Sequence, residues 1–218
     1  MDSDRANLLR DMLAGDPLID DAMEFARAIA GSPRTPGGLL LVGTPTHEPW
    51  HLTAHIEDEA RISGVAEISP TLVRWSAPAD AAPHLAVTLE RLERARRGET
   101  LLVVAADATP SSLLERVDDA RRSGATILSM AHDAGELTSL SHDALIVPTG
   151  GALLDARVVD SLSAVSIAGL DDDPMFDTAQ HIVSLGVGEA TRNGTGRAAR
   201  KRGWRRIMSS LDGSPARW

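Results

Sequence analysis

The stretch GETLLVVAADATPSSLLERVDDARRSGATILSM, residues 98–130, decides the fold. Residues 100–106 form an apolar run without polar alternation, the pattern of a strand buried on both faces. Asp107, Thr109 and Pro110 break the run, and Ser111 opens a segment, 111–123, with helical patterning. Gly124 turns the chain into a second apolar run, 126–130. Strand, helix and strand in this order make a right-handed crossover, which lays the two strands parallel.

Three more runs extend the pattern outward: LLLVG at 39–43, TLVRW at 71–75 and ALIVP at 144–148. Arg74 puts the run 71–75 at a sheet edge or a strand end. Helical patterning covers about 48–63 and about 83–97, and the connection 131–143 is short. The expected class is α/β, a three-layer α/β/α sandwich, doubly wound around a five-stranded parallel sheet. Upstream, residues 3–31 read as two helical pieces parted by Gly15-Asp16-Pro17. Asp16 is the expected N-cap and Pro17 the first helical residue. Leu18, Ala22, Phe25, Ala26 and Ile29 then form an apolar stripe, and Pro- and Gly-rich residues 32–38 form a linker. Downstream, helices are expected over 153–165 and 174–190. The organisation is therefore 1–37 N-terminal helices, 38–190 an α/β domain including C-terminal helices, and 191–218 a basic tail.

Composition narrows the function classes. Aromatic residues are 3% of the chain, with no Tyr, which argues against a stacking platform for single-stranded nucleic acid. Cys is absent, which excludes disulfides, thiolate metal sites and cysteine nucleophiles. The N-terminus is polar and no segment approaches ~20 apolar residues, so the expectation is a cytoplasmic protein without a membrane span. Charge is uneven. From Arg192 to the C-terminus there are eight basic residues and one acid, Asp212, against 14 basic and 30 acidic residues in the remainder. The acidic body repels phosphate backbones, so an anion needs a dedicated local pocket, and nucleic acid is a partner only through the tail. In the tail, Arg197, Arg200, Lys201, Arg202, Arg205 and Arg206 flank Trp204.

Two strand-to-helix turns are the candidate ligand site: Gly43-Thr44-Pro45-Thr46 and Asp107-Ala108-Thr109-Pro110-Ser111-Ser112. In an open parallel sheet, ligands sit at the carboxyl ends of the strands, where helix N-termini present free N–H groups. Hydroxyls at Thr44, Thr46, Thr109, Ser111 and Ser112 can donate to an anion, and they are also ordinary helix caps. The residues after the first turn carry His47, His51, His55 and Glu59. His51, His55 and Glu59 recur every four residues and share one helix side. Two imidazoles one turn apart, completed by a carboxylate, can hold a divalent metal. A His or Glu here can also move protons in an isomerisation, and a half-buried subunit contact reads the same way. The dinucleotide fingerprint and the P-loop are both missing after residues 39–43, which disfavours NAD and leaves the cofactor unknown.

The order of features over roughly residues 38–150 resembles the sugar isomerase (SIS) domain. The resemblance rests on the Gly43–Thr46 turn, the hydroxyl-rich loop after residues 100–106, the Gly124-Ala125 turn, Asp143 and the closing Pro148. It implies a phosphosugar or related small-molecule ligand over the two turns. It also implies aldose–ketose isomerisation by a His-x3-Glu pair, here His55 and Glu59, with a C-terminal-helix histidine, here His181. The wide apolar stripes of the helices 17–31 and 174–190, lying outside the sheet core, predict a homodimer or tetramer that covers them. The family's second loop reads Ser-x-Ser-Gly-x-Thr, whereas this chain has Ala105-Ala106-Asp107-Ala108-Thr109-Pro110. Asp107 brings a negative charge to the place of a phosphate. The alternative is a non-catalytic SIS-like module that acts in regulation or oligomerisation.

Overall fold

A computed structural model of the chain describes residues 17–77, 80–82, 86–149 and 173–194. The expected helical piece ahead of Gly15, the N-cap at Asp16, the helix over 153–165 and the part of the basic tail beyond residue 194 lie outside the described residues.

The described chain is a three-layer α/β/α sandwich. Helix α1 (Pro17–Gly31) precedes strand β1 (Leu39–Gly43) and helix α2 (Trp50–Ser63). Strand β2 (Pro70–Val73) follows, then β3 (Thr100–Ala105), α3 (Ser111–Arg122), β4 (Thr126–Ala131), α4 (Glu136–Leu140), β5 (Asp143–Ile146) and α5 (Pro174–Arg192). The five strands are all parallel, in the order β2-β1-β3-β4-β5. All positions of β1 and β3 are buried, as their unbroken apolar sequence requires. β2 is the edge strand, with three of its four residues only partly buried, and Arg74 lies just past its end.

Alternate residues of the strands feed two cores. Leu39, Leu41, Leu102, Val104 and Met130 face α1, α2 and α5, while Leu40, Val42, Leu101, Val103 and Ile127 face α3 and α4. α1 and α5 pack closely because α5 carries glycine at the crossing. A Cβ on Gly186 would lie 2.6 Å from the Ala26 Cβ. The apolar stripe of α1 (Leu18, Ala22, Phe25, Ile29) is thus buried within the chain, against α5 and the sheet. It supplies no reason for a second copy.

The segment 83–97 differs from its helical reading. Among its described residues only Leu89–Arg94 is helical, as a short 3₁₀ helix. Val87 and Thr88, both β-branched, run alongside the end of β2: Val87 accepts a bond from the Arg74 N–H at 2.8 Å, and Thr88 bridges Arg74 in parallel. The edge of the sheet thereby captures residues that a helix would have used. The connection 131–143 is long enough to hold α4.

Candidate functional site

β1 has β2 on one side and β3 on the other, and the helices that follow β1 and β3 go to opposite faces. The carboxyl ends of β1 and β3 therefore flank the crevice where an open α/β sheet binds ligands. Gly43 ends β1 because nothing larger fits: a Cβ there would lie 1.9 Å from the His47 carbonyl oxygen. The carbonyl of Gly43 accepts the Trp75 indole N–H at 2.8 Å. Thr44 is buried, and its Oγ1 accepts the His47 N–H at 3.2 Å. Thr46 is exposed. Its hydroxyl lies 3.4 Å from that of Thr44 and donates across the crevice to Asp107 Oδ2. A chain of polar groups thus runs from the His47 amide through Thr44 and Thr46 to the carboxylate beyond β3.

The second turn opens α3. Its N-cap is Pro110, with no side-chain cap, so Thr109, Ser111 and Ser112 do not spend their hydroxyls on capping. Pro110 O takes the Leu113 and Leu114 amides, at 2.9 and 3.1 Å. This leaves a helix N-terminus of the kind that attracts anions. Beside it lies a cavity of about 430 Å³ between the ends of β3 and β4, within the size range of small-molecule sites. Thr109, Asp107, Asp133, Glu136 and His132 line it. Three carboxylates in one wall disfavour a bare anion there and favour the hydroxyl groups of a polyol.

Sequence reasoning missed His132. It ends β4 and ties three elements together. Its Nδ1 lies 2.7 Å from Val147 O and its Nε2 2.9 Å from Asp173 Oδ2. The other carboxylate oxygen of Asp173 accepts the Met175 and Phe176 amides at 3.1 and 3.0 Å, capping α5. The available signal was Asp173-Pro174, a cap followed by proline.

The histidine stripe lands on the α5 side of the sheet. His51 Nε2 and His55 Nε2 are 2.9 Å apart on adjacent turns of α2. His181 of α5 meets both edge-on, at ring-centroid distances of 4.8 and 5.1 Å. Burial, with His51 and His55 adding like charge, pushes the His181 pKa down to about 4. Burial and His51 likewise lower that of His55. Glu59 does not join the rings. It pairs with Arg192 at 2.8 Å and lies over Gly188, where a Cβ would sit 1.9 Å from Oε2. The structure thus gathers His51 and His55 with His181, from a distant part of the sequence, and turns Glu59 toward the end of α5.

No protein-family model matches the sequence, and no curated protein matches it. Solved structures do. The sugar isomerase domain of the RpiR transcription factor from Sphaerobacter thermophilus superposes with a TM-score of 0.52 at 14% identity, covering 94% of this chain and 95% of that one. The NanR protein of Vibrio vulnificus, solved in complex with ManNAc-6P, gives a TM-score of 0.44 at 11% identity over 96% of this chain and 70% of that one. The fold of this chain is that of a sugar isomerase domain. No helix among the described residues is long and apolar enough to cross a membrane.

Proposed function

We propose that this chain is a ligand-binding SIS domain that takes a sugar phosphate or a related small polyol over the carboxyl ends of β1, β3 and β4, without isomerase chemistry. The observation that carries the reading is the pairing of an uncapped α3 N-terminus with a carboxylate-lined cavity beside it. The first offers N–H groups to an anionic group, with Thr109, Ser111 and Ser112 as added donors. The second offers acceptors to sugar hydroxyls at Asp133 and Glu136, while Asp107 is held by the Thr46 hydroxyl. The SIS fold supplies the place; these residues supply the chemistry.

The absence of isomerisation rests on Glu59. A base that shuttles a proton between carbons must be free to take one. The Glu59 carboxylate holds Arg192, and using it would break that ion pair. A thermal-shift panel of hexose, heptose and amino-sugar phosphates tests binding, and a coupled isomerase assay on every binder tests chemistry. A compound that raises the midpoint and is not turned over supports the reading. Turnover that is lost in Glu59→Gln contradicts its second half.

A further inference from the structure

We propose that His51, His55 and His181 form a three-imidazole site for a divalent transition metal of the zinc type. One ring nitrogen from each of the three lies within 4.8 Å of the other two. Zinc binds imidazole nitrogen at about 2.0–2.1 Å, which places tetrahedral ligands roughly 3.4 Å apart. The 2.9 Å separation of the His51 and His55 Nε2 atoms is close to this, and small side-chain rotations bring the third nitrogen to it.

The rings sit on rigid supports. Leu52, Ile56 and Ala60 anchor the buried face of α2, and Phe176, Ala179 and Val183 anchor that of α5. The approach of the two helices is fixed by Gly188, which accommodates the Glu59 side chain. Ligands held on rigid helices in this way are what a metal site requires. The bonding of the rings is also incomplete. His181 Nε2 is buried and meets no hydrogen-bond partner among the described residues. Buried polar nitrogen is seldom left so, and an ion is one remedy.

The donor set selects the ion. With Glu59 bound to Arg192, the site is three nitrogens with no carboxylate. Such a set suits zinc, cobalt, nickel or copper and gives little to magnesium or calcium, which take oxygen. All three histidines are only partly buried, so an ion can enter from solvent. Three protein ligands leave a fourth position for water or a ligand oxygen.

The test uses the full chain without a histidine tag, stripped with a chelator. Calorimetric titration with zinc is expected to show one site per chain, and zinc but not magnesium to raise the thermal midpoint. Cobalt is expected to give the visible absorption of a tetrahedral site. His181→Ala is expected to weaken zinc binding at least about hundredfold, and Glu59→Gln to leave it within twofold. Circular dichroism establishes that both variants are folded, and the cobalt spectrum needs no variant. The proposal is overturned if the native chain gives neither zinc heat nor a cobalt band. It is also overturned if a folded His181→Ala binds as tightly as the native chain, or if Glu59→Gln abolishes binding.

Discussion

The hydroxyl of Thr46 donates to the carboxylate of Asp107, joining the loop after β1 to the loop after β3 across the mouth of the sheet. The two residues are 61 positions apart in sequence. A ligand that enters this crevice must either use the pair as it stands or displace it. A polyol can do the first, accepting from Thr46 and donating to Asp107. An anionic group placed directly over the pair meets a like charge.

The first prediction follows from that charge. Asp107→Ser removes the carboxylate and restores a hydroxyl. One short-range repulsion in a solvent-accessible crevice is about 1 kcal/mol or more. Phosphosugar binding is therefore expected to tighten roughly tenfold. Calorimetric titration of native and variant chains reads this directly. Unchanged or weaker binding in the variant means that Asp107 holds the sugar rather than opposing the phosphate.

Backbone approach sets a second expectation. Gly43→Ala would press a methyl group against the His47 carbonyl, and Gly186→Ala would press one against Ala26. Each forces backbone or helix shifts of the overpacking kind, at about 1–3 kcal/mol. Urea denaturation of both variants checks it. A loss near zero in either would mean that the turn or the helix crossing yields easily.

Acid stability provides a third. His142 Nδ1 accepts the Ile127 N–H at 2.9 Å, and the His142 N–H donates to Ile127 O at 2.8 Å, lacing the entry of β5 to β4. Burial, with the Arg121 charge second, lowers the His142 pKa. The folded pKa thus lies below the unfolded value of about 6.5, and the unfolded chain binds the proton first. The contribution is fully present above about pH 6.5 and is lost as pH falls through the folded value. His142→Ala is expected to cost about 0.5–1.5 kcal/mol at pH 7.5, since it exchanges the bond to the Ile127 N–H for one to water. It should also flatten the fall in stability between pH 7 and 5. The slope will be reduced rather than abolished, because His55 and His181 are shifted the same way. An unchanged slope would remove His142 from the account.

The strands were legible because burial on both faces leaves its mark in single residues: LLLVG at 39–43 and LLVVA at 101–105 have no polar position to misplace. The segment 83–97 was not, because its leucines and charges have helical spacing while the pairing of Val87 with Arg74 is a long-range event. Two of the three histidines in the cluster were legible for a local reason. His51 and His55 are one turn apart, which any helix guarantees. His181 reaches them only through the packing of α5 on α2, and Glu59 leaves them for Arg192, a residue 133 positions away. The contact between Thr46 and Asp107 is likewise set by strand order, which five apolar runs do not specify.

The central claim is that the ligand sits over the carboxyl ends of β1, β3 and β4. Amide chemical-shift mapping by NMR during titration with the phosphosugar that gives the largest thermal shift tests it most directly. The account predicts perturbations concentrated at residues 43–47, 107–112 and 131–137, with Ser111 and Ser112 among the largest, and their loss in a chain carrying Thr46→Val and Ser112→Val together. Perturbations centred elsewhere on the domain, or none from any member of the panel at millimolar concentration, would contradict it.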